Sequence, residues 1–533
     1  MTESFDYIVV GGGSSGCVMA SRLSENPSTR VLLIESGHKD GHPWIHIPST
    51  FFKVIEKGRD IVAYVGEPTP ELNNRPSIVI QGHVIGGGSS VNAMLYIRGH
   101  ANDYNQWAQL GNRGWAYEDV LPVFRDLENN MVFSNEFHGN KGELHVSKTR
   151  FQHPLCQAFV AAAQEVGLPH NPDFNGAEQE GVGFYQTTTH DGKRWSAAQA
   201  FLRKAEKRSN LAIRTQTRVA RVTFDGPRAT GVMLEDGTRI AARAEVILCA
   251  GAIETPRLLQ LSGVGPGAHL QSLGISVVSD LPGVGKNYQD HLESTVQGET
   301  RDPISLMGQD KGLKAALHFL KYMTTKQGLM TSNVVECGGF ADVSGAGQPD
   351  VQFHVLPFMV GWADRPPIQA HGIAIGPCFL RPKSRGSVHL RSSKPQDKAL
   401  FDAGSFKDSD DLEVLVRGVL KGIEILEAPA LAKLIKRRHL PEPGLEKDLD
   451  ALRHYVRQTA KTVFHPVGTA KMGPDTDRMA VVDAELRVRG VTGLRVADAS
   501  IMPTLVSGNT NAPTMMIAER CARFIKAKAR VAA

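Results

Sequence analysis

The sequence lacks the features that mark several protein classes. Six cysteines occur among 533 residues and no two of them form a CxxC pair, so neither a zinc site nor a disulfide framework is indicated. No apolar run reaches the roughly 18 residues that a transmembrane helix needs. Lys and Arg are scattered among acidic residues, which argues against nucleic-acid binding. No internal repeat or low-complexity segment occurs.

What is present indicates a large soluble protein with an excess of glycine. Apolar residues make up 41% of the chain and charged residues 22%, values that are ordinary for globular proteins. Glycine occurs 53 times, above the usual share of about 7%. The first apolar run directly follows Asp6, so we expect no secretory signal, and we expect the cysteines to be reduced and mostly buried. These features predict a cytoplasmic protein.

An N-terminal segment has the pattern of a dinucleotide-binding unit. Residues 7–10 predict a strand, residues 11–16 (GGGSSG) a glycine turn, residues 17–23 a helix and residues 31–34 a second strand. Gly11 permits the tight turn, Gly13 lets backbone amides approach a pyrophosphate, and Gly16 lets the helix pack on the strand. Glu35 follows the last glycine by 19 residues (35 − 16), where a carboxylate accepts bonds from an adenosine ribose. The pattern does not distinguish FAD from NAD.

Further segments narrow the prediction. Residues 82–92 (GHVIGGGSSVN) are glycine-rich, and residues 251–265 (GAIETPRLLQLSGVG) follow a strand-like run. With residues 281–291 (LPGVGKNYQDH) and 496–500 (VADAS), they resemble the signatures of the glucose-methanol-choline oxidoreductases, closest to the alcohol, polyol and choline dehydrogenases. The resemblance extends from residue 5 to about residue 525. His83 departs from the basic residue or Asn usual at its position, and we interpret it as a loop histidine without a role in the chemistry.

The resemblance implies that the cofactor is FAD. Some family members attach FAD through a histidine just before the signature Asn, but Val91 stands at that position, so we expect FAD to be held non-covalently. A helix that begins near Pro513 and ends near residue 528 would direct its positive end at the flavin. The predicted cofactor-binding residues are Gly11, Gly13, Ser14, Ser15, Gly16, Glu35, Ser36, Gly82, Gly87, Gly88, Ser89, Asn92, Ala93, Met94, Val219, Ala250, Gly251, Asp498, Ala499, Asn509, Pro513 and Thr514.

The resemblance also implies a catalytic pair near the C-terminus. Oxidation of an alcohol requires a base for the hydroxyl proton, and histidine, with a pKa of about 6.5, suits that task. His465 lies in FHPVGTA (464–470), where Pro466 keeps the preceding backbone out of helical geometry. Asn509 lies in GNTNAPT (508–514), where family members have Asn or a second His. We predict His465 as the base and Asn509, which does not titrate, as the donor that holds the substrate oxygen.

The predicted fold is α/β, or α+β for the whole chain, with a Rossmann-type FAD-binding domain and a discontinuous substrate domain built on an antiparallel sheet. Flavin signatures flank residues 298–457 and are absent within them, so we assign 1–297, completed by 458–533, to the FAD domain and 298–457 to the substrate domain. Alternating residues at 351–355 and 387–390 predict strands, and residues 312–323 and 408–427 predict helices. His190, His354 and His371 lack metal-ligand spacing, so no metal is predicted.

Several functions remain open. The main hypothesis is oxidation of a small-molecule alcohol to an aldehyde or ketone, with a hydride passing to the flavin. A choline dehydrogenase-like or an oxygen-using oxidase activity is the alternative within that chemistry, and a cyanohydrin lyase or a non-catalytic flavoprotein is the alternative outside it. The reduced flavin requires an external acceptor, which is a quinone, a dye or oxygen. The basic tail, with Lys526, Lys528 and Arg530, is interpreted as a solvated helix end in preference to a weak contact with the inner membrane.

Overall fold

Buried apolar runs near the N-terminus form the core of the first of two large sheets. The computed structural model describes residues 3–361 and 366–532. The first sheet has seven strands, in the order Leu211–Arg214, Val31–Ile34, Ser4–Val10, Arg239–Leu248, Arg228–Leu234 and Val219–Asp225, with Leu494–Val496 also paired to Arg239–Leu248. The four pairings that involve Val31–Ile34, Ser4–Val10 and Leu494–Val496 are parallel. Because parallel strands are covered on both faces, they are apolar almost throughout, as in the fully buried run Val31–Ile34.

The register of this sheet brings four strand ends to one edge. Val10 lies beside both Leu248 and Ile34, and Leu248 lies beside Val496. The segments that leave these strands therefore emerge together at the carboxyl edge, which is where open α/β sheets bind ligands.

The second large sheet is antiparallel throughout and has eight strands. Its main path runs Ile435–Leu440, Val296–Thr300, Gly372–Phe379, Val351–Leu356, Cys337–Ala341 and Gly181–Phe184, and Leu292–Glu293 pairs with both Gly372–Phe379 and Lys461–Thr462. The helix Ser409–Glu427 packs against this sheet through its apolar face. Three strands of this sheet, 181–184, 292–293 and 461–462, lie outside residues 298–457, the range predicted for the substrate domain. The domain boundaries therefore stay a prediction.

The remaining elements connect and cover the two sheets. Smaller sheets contain the strands Ile61–Thr69, Arg75–Gly82, Glu128–Asn130, Leu144–Lys148, Gln186–Thr187, Thr189–His190, Lys193–Arg194, Val264–Gly265, Ser279–Asp280, Lys286–Tyr288, Gly386–His389 and Leu400–Asp402. The other α-helices are Ser14–Leu23, Pro43–His46, Phe51–Glu56, Gly88–Val91, Ala101–Gln109, Tyr117–Leu127, Pro154–Glu165, Arg203–Ala205, Gly251–Leu261, Gly267–Ser272, Gly312–Thr325, Pro429–Ala432, Leu449–Thr459 and Asn511–Ala532. The predicted fold class is confirmed.

The C-terminal helix Asn511–Ala532 packs on the first helix, Ser14–Leu23, so both ends of the chain belong to one unit. Arg22 Nε donates to Glu519 Oε2 at 2.6 Å, and Ser14 Oγ donates to Asn511 Oδ1 at 2.8 Å. Lys526 Nζ contacts Glu25 Oε2 at 2.6 Å, whereas the side chain of Arg530 lies outside the described residues.

All six cysteines are buried and free. Among residues 3–361 and 366–532, no helix has the length and apolar character that crossing a bilayer demands.

Candidate functional site

A cavity of about 480 Å³ opens at the carboxyl edge of the first sheet and is also lined by residues of the second. This volume is in the range of small-molecule and cofactor sites. Predicted cofactor residues that line it are Gly11, Gly13, Ser14, Ser15, Glu35, Ser36, Gly82, Gly87, Gly88, Asn92, Ala93, Met94, Val219, Ala250, Gly251, Asp498, Ala499, Asn509 and Thr514. The cavity therefore joins segments that are distant in sequence.

The first glycine turn has the geometry that the sequence predicts. Gly11 has φ +101°, a backbone conformation that strongly favours glycine. A Cβ on Gly16 would lie 1.8 Å from the carbonyl oxygen of Gly11, so only glycine lets the helix start against this turn. The helix begins at Ser14, three residues earlier than the sequence predicts. Gly16 thus acts on packing and does not line the cavity.

The second glycine loop lies against the first. A Cβ on Gly87 would come within 2.7 Å of Gly13 Cα, so the two loops touch through backbone. Ser89 does not line the cavity, because its Oγ donates to the Gly86 carbonyl at 2.6 Å and accepts from Ala197 N–H at 3.0 Å. Its role is to hold the loop.

The predicted ribose ligand Glu35 is buried at the end of its strand. Gly12 N–H donates to Glu35 Oε2 and Gly37 N–H to Oε1, both at 2.7 Å. Burial raises the pKa of Glu35, and this effect outweighs the two hydrogen bonds, which lower the pKa. His83, in the loop opposite, contacts Ser36 Oγ through Nε2 at 2.9 Å and lines the same end of the cavity.

Asp498 organises the segment where the C-terminal part of the chain returns to the cavity. Its Oδ2 accepts from Gly251 N–H at 2.9 Å and from Thr255 Oγ at 2.6 Å, and its Oδ1 accepts from the N–H and Oγ of Ser500 at 2.9 and 2.5 Å. The carboxylate thus fixes the start of helix Gly251–Leu261. Pro513 is buried in the first turn of the C-terminal helix and does not line the cavity.

His465 is held by a second histidine, His291, which lies in the signature-like segment 281–291 and for which the sequence predicted no role in the chemistry. His291 is fully buried, and its Nε2 lies 3.1 Å from the Leu380 carbonyl, which can only accept. The proton of neutral His291 is therefore on Nε2, and its Nδ1 accepts from His465 Nδ1 at 3.0 Å. This assignment leaves His465 Nε2 unprotonated, with a lone pair that can accept a hydrogen bond. Asn509 Nδ2 lies 3.3 Å from this Nε2 atom and donates to it.

The amide of Asn509 is oriented from the second sheet. Gln352 is fully buried and its Nε2 donates to Asn509 Oδ1 at 3.1 Å. With its oxygen so engaged, Asn509 directs its NH₂ group toward His465 and the cavity. The structure thus brings together the two predicted catalytic residues, which are 44 positions apart.

The backbone around His465 is fixed by Asp290. Its Oδ1 accepts from His465 N–H at 2.8 Å, and its Oδ2 accepts from Tyr288 Oη at 3.1 Å and from Thr462 Oγ. Burial raises the pKa of Asp290 to about 6. Phe464, the preceding residue, has φ +68°, a strained conformation for a bulky side chain and one that clusters at functional sites.

Desolvation keeps both histidines neutral. It lowers the pKa of His465 well below the ordinary value of about 6.5, and His291 and His354 lower it further. Desolvation also lowers the pKa of His291 to about 3. A neutral imidazole with an unprotonated Nε2 can accept a proton, so His465 has the state that a general base requires.

Beside this pair the cavity contains a charged group that the sequence did not reveal. Glu293 Oε2 lies 2.8 Å from His354 Nδ1, and Glu293 Oε1 lies 3.9 Å from Lys461 Nζ. All three residues line the cavity.

The cavity walls fit a dinucleotide. A Cβ on Gly13 would meet no atom closer than 3.9 Å, and a Cβ on Gly88 or Gly251 would meet none within 4 Å, so these backbones border open space. Two helices begin beside that space, at Ser14 and at Gly251, and helix N-termini bind phosphate.

Residues 5–293 match the N-terminal model of the GMC oxidoreductases and residues 382–518 match the C-terminal model. The chain belongs to the GMC oxidoreductase family. It is 42% identical to the alcohol dehydrogenase (acceptor) of Pseudomonas putida, over 99% of this chain and 97% of that protein. It is also 42% identical to the mitochondrial choline dehydrogenase of Mus musculus, over 98% of this chain and 90% of that protein.

Two solved structures of other oxidoreductases share the fold. Pyridoxine 4-oxidase from Mesorbium loti is 31% identical, with a TM-score of 0.88 and coverage of 97% and 98% of the two chains. An FAD-dependent oxidoreductase from Chaetomium thermophilum is 28% identical, with a TM-score of 0.90 and coverage of 99% and 100%. The protein is therefore an FAD-dependent oxidoreductase that acts on CH–OH groups, as the sequence predicts.

Proposed function

We propose that His465 is the base that takes the hydroxyl proton of the alcohol and that Asn509 holds the alcohol oxygen. The observation that supports this most is the bond series from the Leu380 carbonyl through His291 to His465, which leaves the Nε2 lone pair of His465 toward the cavity. FAD, when bound, supplies the two-electron acceptor for the carbinol carbon. A substrate hydroxyl is both donor and acceptor, so it can replace the contact between Asn509 and His465 by bonding to each of them.

The same proposal assigns FAD to the cavity without a covalent bond. Val91, which lines the cavity beside the second glycine loop, offers no nucleophile at the position predicted for attachment. The glycine-rich loops, Glu35 and the segment around Asp498 are the groups proposed to hold the cofactor. The reduced cofactor passes its electrons to an external acceptor.

An uncharged alcohol is favoured over choline. A quaternary ammonium group needs a carboxylate or an aromatic cage. Glu293 is the carboxylate on the histidine side of the cavity, and it already has His354 and Lys461 as cationic or donating neighbours. Phe51 and Phe52 line the same cavity but pack against each other, with ring centroids 4.1 Å apart, so together with Leu356 they form an apolar wall that suits a hydrocarbon body.

The substitution His465→Ala tests the assigned base. We expect the rate constant of anaerobic flavin reduction by primary alcohols to fall about 10²- to 10⁴-fold, with FAD still bound. Stopped-flow absorbance of the flavin measures this, with a panel of primary alcohols and choline as substrates.

His389→Ala is the matched control. His389 is half-buried, its pKa is lowered to about 4 by burial, and it lies outside the residues that line the cavity. Near-normal reduction in His465→Ala, or an equal loss in His389→Ala, would refute the assignment.

A further inference from the structure

The helix Gly312–Thr325 exposes apolar side chains that a surface helix usually buries. Leu313 is 76% exposed, Leu317 56%, Phe319 47%, Leu320 60% and Met323 52%. Tyr322 is the buried residue of this helix. Its outward face is therefore apolar, the reverse of the ordinary arrangement.

The exposed side chains form one continuous face. At about 100° per residue, Phe319, Met323, Leu320, Leu313 and Leu317 fall within a sector of about 160°, on the side away from Tyr322. Isolated exposed leucines are common on protein surfaces, but a contiguous apolar face is a sign of an interaction site.

The charges of this segment have one sign. Lys311, Lys314, Lys321 and Lys326 occur between residues 311 and 327, where there is no Asp or Glu, although an exposed Asp310 directly precedes the segment. Lys314 and Lys321 lie on one flank of the apolar sector, about 100° and 80° from Leu313. Lys326 lies over the Tyr322 ring, at 4.5 Å from its centroid. An apolar face with two lysines along one flank is complementary to a surface that is apolar inside and anionic at its border.

The helix is attached next to the cavity. Leu306, six residues before the helix (312 − 306), and Val334, nine residues after it (334 − 325), belong to the cluster of Phe51 and Phe52. Phe51 and Phe52 line the cavity. Whatever covers the helix therefore lies near the wall of the functional site.

We propose that Gly312–Thr325 is a docking helix that lies on an anionic lipid membrane. Its five apolar side chains enter the boundary between headgroups and acyl chains, and Lys314 and Lys321 on its flank contact the anionic headgroups. A second copy of the chain is less favoured as the occupant, because a two-fold contact between these helices would bring lysines together without a carboxylate in the segment. The proposal does not depend on the assignment of His465.

Vesicle sedimentation of the FAD-loaded, full-length protein tests this proposal. We expect binding to vesicles of phosphatidylcholine mixed with phosphatidylglycerol, little binding to phosphatidylcholine alone, and a decrease as salt is added, since salt screens the lysines. The double variant Leu317→Gln/Leu320→Gln should bind these vesicles at least about tenfold more weakly than the wild type, because two apolar side chains no longer enter the bilayer.

The control is Leu110→Gln/Leu449→Gln, which removes two leucines of comparable exposure, 46% and 48%, elsewhere on the surface. Both double variants keep the net charge, so a loss confined to the helix variant reports the apolar face. Unchanged vesicle binding by the helix variant would overturn the proposal. So would a dimer, seen by sedimentation velocity without vesicles, that the helix variant abolishes, since the face would then be an interface between two copies.

Discussion

At the scale of single residues, Gln352 determines which way Asn509 presents its amide. Gln352→Leu keeps the volume and removes the donor to Asn509 Oδ1, so the amide is free to turn. We expect kcat to fall roughly tenfold to a hundredfold, the usual cost of a misplaced contact to a reacting group. Steady-state kinetics measure this effect. If Gln352 acts through Asn509, adding the substitution to Asn509→Ala should cause little further loss.

Gln297→Leu separates positioning from stability. Gln297 is also fully buried in the antiparallel sheet, and it bonds Val360 through both ends of its amide. The Gln297→Leu variant should be less stable than the wild type but should not show the decrease in kcat expected for Gln352→Leu. An equal loss of kcat in both variants would reduce Gln352 to a structural residue.

Also at this scale, the lowered pKa of His465 determines the pH range of activity. A base with a lowered pKa stays neutral, and active, until the pH falls well below 6.5. We expect the rate constant of flavin reduction to be constant from pH 9 to about pH 6.5 and to decrease only at lower pH. An essential base that titrates at or above pH 7 would contradict the assignment.

Asp290 is the second group that titrates in this region, because burial raises its pKa to about 6. The variant Asp290→Asn keeps an oxygen for the His465 N–H. A step near pH 6 that disappears in this variant belongs to Asp290, and the step at lower pH that remains belongs to His465.

At the scale of secondary-structure elements, motifs in turns were predictable and side chains on strands were not. The glycine turn at Gly11 follows from backbone geometry, and the helices at 312–323 and 408–427 were found as Gly312–Thr325 and Ser409–Glu427. The strand at 351–355 was also found, but its alternation reveals only that its two faces differ. Gln352 and His354 both point from one face toward Asn509 and Glu293, although polar residues in such a pattern usually face water.

The contact of His291 with His465 illustrates what sequence reasoning missed. The two residues are 174 positions apart, and their meeting depends on the pairing of Leu292–Glu293 with Lys461–Thr462. A local pattern does not encode such a pairing. The apolar outer face of Gly312–Thr325 was missed for a related reason, since periodicity marks a face without saying what covers it.

At the scale of the whole molecule, residues from both ends of the chain and from both large sheets line the cavity, so cofactor binding should stabilise all of these parts together. Gly13→Val tests this linkage. Gly13 has φ −74°, and its Cβ would meet no atom closer than 3.9 Å, so the variant should fold while its side chain occupies the space of the cofactor. The free energy of unfolding of the wild-type protein should increase by about 2.7 kcal/mol at an FAD concentration 100 times the Kd, and that of the variant should hardly change.

Thermal unfolding of the apoprotein during an FAD titration measures this gain, with Gly41→Val as the matched control. A Cβ on Gly41 also meets open space, but Gly41 lies outside the cavity lining. The Tm of the Gly41→Val variant should therefore rise with FAD as in the wild type. Hydrogen exchange should report new protection at residues 292–300 and 351–356 of the antiparallel sheet as well as in the first sheet. Protection confined to the first sheet would mean that the cavity does not couple the two parts of the molecule.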